Sequence, residues 1–237
     1  MSRSRLTLLT LIATCFGVAQ LSFAASASPT PTPSPTPSEE LLKIHLKLDM
    51  SKWELIKRES GDINYYTFIN DPTLPYLRAR YQAGMDSAMV GYAIESTDKK
   101  QLKAVEWKWR AQVLPKGGDE CVHDMADSAA GVHLMWKSGL RWYGLKYVWS
   151  AVGPKNAICD QRHGLFLVRD TVIRESGGPL NTWRTEKVEL RETFLKHFRG
   201  GDPKGDVPDF VGIGLSTDGD QTQSESVADY TDFILVR

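Results

Sequence analysis

Thr217-Asp218-Gly219-Asp220-Gln221-Thr222 sets an oxygen-bearing side chain at every second position, and Asp229 and Asp232 follow shortly after. Hard oxygens at that spacing suit calcium, so Asp218, Asp220 and Asp232 are candidate ligands and calcium is the one cofactor suggested. The same residue types also build turns, because Asp and Gly satisfy backbone groups and tolerate positive φ. Cys121 and Cys159 form a second candidate set. In an oxidising compartment an even pair reads as a disulfide. Free thiols are an alternative. So is zinc, with His123 and His163 as partners, although Cys-x-His is a poor chelate spacing. Aromatic rings form the third set. Trp142 and Tyr143 lie in a glycine-flanked segment, Leu140-Arg141-Trp142-Tyr143-Gly144, that reads as a turn. There the rings either fold back as local core or stand out to stack on a sugar. Trp149 is a further candidate, although its shared face with Tyr147 favours core.

No catalytic residue is assigned. The chain has no G-x-S-x-G, no H-E-x-x-H and no glycine-rich phosphate loop. A pair of carboxylates, as a glycosidase needs, is always available among 29 acidic residues, so their presence decides nothing.

The elements that position these residues read as strands. Ala104–Val113 alternates without a break: Val105, Trp107, Trp109, Ala111 and Val113 on one side, Glu106, Lys108, Arg110 and Gln112 on the other. Two indoles on one face of a half-wet strand require a wide partner surface, such as a second sheet about 10 Å away. Similar short segments follow one another along the chain. Residues 43–48, 63–70, 76–83, 89–94, 130–136, 145–151, 165–174, 182–190, 210–216 and 230–236 all read as strands. Phe194, Leu195 and Phe198 recur at helical spacing, which predicts one short helix over 191–198. No alternating strand–helix rhythm exists, so the expected fold is all-β: a two-sheet, jelly-roll-like sandwich with one helix.

The N-terminus reads as an export signal. Arg3 and Arg5 precede an apolar run to Ala24, with small residues suitable for cleavage behind it. Residues 1–27 are thus expected to be a signal peptide, residues 28–38 a Pro/Thr-rich linker and residues 39–237 one sandwich domain. Proline at every second position of Ser28–Ser38 forbids helix and sheet and leaves a tether of about 30 Å. Beyond the leader the charges nearly balance, so nothing points to nucleic acid. No transmembrane segment is expected after cleavage, and the expected location is periplasmic or secreted.

Trp107-Lys108-Trp109, Ala126-Asp127-Ser128, Tyr147-Val148-Trp149 and Thr182-Trp183 occur in a familiar order. They are followed by Thr217–Thr222 and by Ala228-Asp229-Tyr230-Thr231-Asp232-Phe233. Together they resemble a family of exported bacterial proteins known only as a domain of unknown function. The chain departs from that pattern at Asp127-Ser128 and Gly131, where paired acids and an arginine are expected. More distantly, the strand order is similar to that of jelly-roll carbohydrate-binding modules. That likeness is at the level of the fold and says little about ligand. The export signal, the Pro/Thr tether, the many strands and the aromatic-rich segments together point to an exported domain that binds a polysaccharide or another cell-envelope component. A glycan hydrolase using acids near the C-terminal loop, and an envelope protein without a small ligand, are the alternatives.

Overall fold

The computed structural model describes residues 44–56, 64–95 and 101–237. The expected signal peptide and linker, and Gly61-Asp62, which by sequence is expected to turn the chain ahead of the strand at 63–70, lie outside the described residues. Among the described residues thirteen strands, numbered β1 to β13 in chain order, form two sheets. One sheet contains β1 (His45–Lys47), β3 (Tyr66–Ile69), β4 (Tyr76–Tyr81), β6 (Ala104–Val113), β11 (Arg184–Glu189) and β13 (Ser226–Val236). It runs in the order β11-β6-β13-β4-β3, with β1 also on β13. The other contains β2 (Glu54–Ile56), β5 (Met89–Ala93), β7 (Ser128–Ser138), β8 (Arg141–Ser150), β9 (Ile158–His163), β10 (Leu167–Ser176) and β12 (Asp209–Ser216). Its order is β2-β5-β12-β7-β8-β10-β9, antiparallel except where β10 runs parallel to β8. The all-β sandwich expected from the sequence is present.

The core is where the facing rings meet. Trp107 and Trp109 on β6 are fully buried and reach across to Tyr147 (5.8 Å between ring centres) and Trp149 (6.0 Å) on β8. Trp107 also stacks on Phe233 of β13. Burying such rings is the main favourable term in a sandwich of this kind. The helix α1 (Leu190–Phe198) closes one part of the core. Its Phe194 meets Trp136 at 5.4 Å and Tyr143 at 5.1 Å, and Phe198 packs beside it.

Several expectations change in detail. The segment 158–163, absent from the expected strands, is β9, an edge strand; an edge carries exposed polar side chains and so lacks an apolar alternation. The strands expected at 130–136 and 145–151 extend toward each other as β7 and β8, leaving only Gly139 and Leu140 as the turn. Gly139 takes φ 56°, the left-handed conformation a two-residue hairpin needs. Trp142 and Tyr143 therefore belong to a strand, not a turn.

Candidate functional site

Strand β8 is buried on both faces for most of its length. In register with β7, Tyr143, Leu145, Tyr147 and Trp149 point into the core, while Trp142, Gly144, Lys146 and Val148 point to the outer face of the seven-stranded sheet. This corrects two of the three aromatic candidates. Tyr143 and Trp149 are core residues, with rings packed against Phe194 and Trp109 respectively, and the Trp149 indole N–H donates to the Gly177 carbonyl (2.8 Å). Neither offers a ring face to a ligand. Trp142 is on the outer face, 37% exposed, with Lys137 Nζ 4.6 Å above its ring.

Two adjoining depressions occupy that outer face. The first is a trough of about 400 Å³ floored by Gly91, Gly212 and Gly214 and walled by Ile56, Met89, Met135 and Trp142. Gly214 pairs with Gly91 on one side and with His133 on the other, so no side chain rises between them. A Cβ at Gly214 would crowd Met89 Cε (3.1 Å), and one at Gly91 would crowd Ile56 Cδ1 (3.1 Å). Glycines within strands often mark such a close approach.

The second depression, about 380 Å³, is charged, and Glu120, Lys146, Arg162, Arg169 and Asp218 line it. The two meet at His133 and Lys146, cross-strand neighbours in β7 and β8. His133 contacts Ser216 Oγ through Nε2 (2.9 Å), and Gly131 next to it leaves the space that Ser216 fills. Burial, helped by Lys146 and Arg169, holds the His133 imidazole well below its usual range, so it is neutral at pH 7.

Two loops assemble the charged part. The segment 114–127 lies over the outer face, fixed by the Ser150 hydroxyl donating to the Gly118 carbonyl (3.2 Å) and by a Cys121–Cys159 disulfide (Cα–Cα 5.0 Å). The expected pairing is thus present, and the cysteines are not free to join His123 and His163 around zinc. The loop delivers Glu120 onto Lys146 as a buried ion pair. The second loop follows β12. Its Asp218 accepts from the Ser128 amide (2.9 Å), while Asp127 accepts from the amides of Gln221 (3.3 Å) and Thr222 (2.6 Å). The Asp127-Ser128 and Thr217–Thr222 motifs therefore clamp each other.

Electrostatics differ among these groups. Burial raises Asp218 to about 7 against the pull of Lys146, and Glu120 adds to the rise. Lys146 would be depressed by burial, but the Glu120 and Asp218 carboxyl groups together outweigh this and leave it above its ordinary value. Asp220 is also raised, chiefly by burial. Asp232 does not join Asp218 and Asp220. It lies on β13 in the other sheet, bound by Lys47 (2.6 Å) and Lys108 (2.8 Å). Among the described residues no three His, Cys, Asp or Glu side chains gather as a metal ion would require.

Sequence reasoning missed Glu120, His133, Lys146 and the glycine floor. A signal existed for two of them. His133 and Lys146 each stand alone within a strongly apolar run, which marks a strand buried on both faces with a polar contact on one.

The chain matches the family described as "Protein of unknown function (DUF3047)" over residues 51–234. No curated protein matches it. Among solved structures it is similar to a family 11 carbohydrate-binding module from Clostridium thermocellum, in complex with a mixed-linked tetrasaccharide. That pair shares 12% identity over 81% of this chain and 95% of the other, with a TM-score of 0.40. A family 11 xylanase from Neocallimastix patriciarum gives 9% identity, 82% and 96% coverage and a TM-score of 0.43. The xyloglucanase domain of a type three effector from Sinorhizobium fredii gives 10%, 81% and 98%, and 0.39. At such identities and TM-scores these likenesses say nothing about ligand.

Proposed function

The chain belongs to the family described as Protein of unknown function (DUF3047), and from that premise we propose that it is an exported domain that binds a glycan on the outer face of its seven-stranded sheet. The carrying observation is the glycine-floored trough with the exposed Trp142 ring at its wall, opening onto a charged depression. A pyranose has an apolar C–H face and an equatorial belt of hydroxyls. The trough offers an indole and thioether surface to the first, and Lys146, Arg169 and His133 offer hydrogen bonds to the second. Export is supported by the leader-like N-terminus and by the disulfide, a bond that persists in oxidising compartments. No helix among the described residues is long and apolar enough to cross a membrane. Affinity electrophoresis against a panel of plant, fungal and bacterial wall polysaccharides tests the reading. Retardation by at least one is expected, and migration unchanged by all of them would refute it.

One observation favours a second reading, hydrolysis of the bound glycan. Asp218 keeps its proton up to about pH 7 and shares a cavity with Glu120, an acid beside a carboxylate. Release of reducing ends by the wild type but not by Asp218→Asn would establish it. Binding without any release would leave the domain a binding module.

A further inference from the structure

We propose that the tips of the β7–β8 and β9–β10 hairpins form a docking surface for an anionic phospholipid bilayer. Because β8 and β10 are parallel, both turns fall at the same end of the sheet. They touch there: the Trp142 amide donates to the Phe166 carbonyl (2.7 Å), and Leu167 is the register partner of Trp142. The side chains at this end are large, apolar and exposed, with Leu140 at 79%, Leu165 at 78% and Phe166 at 60%. Turns ordinarily carry small polar residues, and a contiguous exposed apolar patch marks an interaction site.

The surrounding charge selects the partner. Neither segment 137–144 (K-S-G-L-R-W-Y-G) nor segment 161–169 (Q-R-H-G-L-F-L-V-R) contains a carboxylate. Lys137, Arg141 and Arg162 are exposed and lie one to three residues behind the tips. In the strand register Asp209 stands opposite Lys137, and Arg141 pairs with Ser138. At about 3.3 Å per residue, the cations sit roughly 3–10 Å behind the apolar points. That offset matches apolar groups entering the acyl boundary while cations stay among anionic headgroups, the arrangement by which peripheral proteins hold a membrane. The apolar groups protrude rather than line a groove, so they suit a deformable lipid surface better than a rigid protein partner.

Flotation of the full chain with vesicles tests this. One set contains about 30% phosphatidylglycerol in phosphatidylcholine and the other phosphatidylcholine alone. The wild type is expected to bind the anionic vesicles at least about tenfold better than the neutral ones. The triple variant Leu140→Ser/Leu165→Ser/Phe166→Ser is expected to lose about tenfold of that binding while melting as the wild type does, because the three side chains are exposed. Lys137→Gln/Arg141→Gln should abolish the preference for anionic lipid. Equal binding of wild type and triple variant would overturn the proposal. So would a lack of binding to either vesicle, or lipid-free dimerisation that the triple variant abolishes, which would make a second copy the occupant. Glycan binding, which depends on the trough, is expected to survive in the triple variant.

Discussion

Trp142 and Trp149 lie on one strand, seven residues apart, and so on opposite faces of its sheet: one ring borders the trough and the other is sealed in the core. An odd separation on an unbroken strand leaves no other arrangement. Substitution should separate them. Trp142→Ala is expected to change unfolding free energy by no more than about 1 kcal/mol. Trp149→Ala should cost about 3–5 kcal/mol, by opening a cavity beside Trp109. Urea unfolding of the two variants checks this, and a comparable large loss in both would place Trp142 in the core.

The sequence showed most plainly what periodicity carries. Ala104–Val113 was bounded to the residue as β6, because five alternate apolar residues faced a charged row. The helix at Leu190–Phe198 came from the spacing of Phe194, Leu195 and Phe198. Where a strand is buried on both faces, as at Leu145–Trp149, alternation disappears and the sequence does not say which ring faces which side. Trp142 and Tyr143 are candidates by sequence because Leu140–Gly144 reads as a turn, where burial is least assured; in the strand that forms there, Trp142 is the one of the three aromatic candidates on the outer surface. Glu120 was not legible, because a disulfide and a long loop carry it to Lys146 from a distant part of the chain.

The familiar Ala228–Phe233 motif is structural at its first acid. Asp229 is fully buried and accepts from Arg78 Nε (2.8 Å), Arg110 Nε (2.7 Å) and Gln112. Arg110 also lies 4.5 Å over the Trp183 ring. Removing one partner of a buried ion network leaves the others uncompensated. Asp229→Ala is therefore expected to destabilise by about 3–5 kcal/mol, read by denaturant unfolding. A change below about 1 kcal/mol would show that the arginines are satisfied by solvent.

The Cys121–Cys159 bond closes a 38-residue separation, so its loss should cost about 4 kcal/mol if chain entropy dominates. A non-reduced digest should contain the cross-linked peptide pair. Cys121→Ser/Cys159→Ser should unfold at lower denaturant and expose Glu120, because the loop that carries it is released. Two alkylatable thiols in protein taken from an oxidising compartment would contradict the pairing.

Asp218 makes stability depend on pH with a definite sign. Its folded pKa, about 7, is above the unfolded carboxylate value, so the native state binds the extra proton. Stability from this group is full below about pH 4, falls as pH rises, and is lost above about pH 7. The wild type is therefore expected to lose more stability between those limits than Asp218→Asn, by a few kcal/mol. Parallel urea titrations across that range measure the difference, and superimposable profiles would refute a protonated Asp218.

Binding in the glycine-floored trough is tested most directly by calorimetric titration of the polysaccharide that retards the wild type, run side by side with Trp142→Ala. Saturable binding by the wild type, weakened at least about tenfold in the variant with stability unchanged, is the predicted result. Equal affinity in both proteins would contradict it.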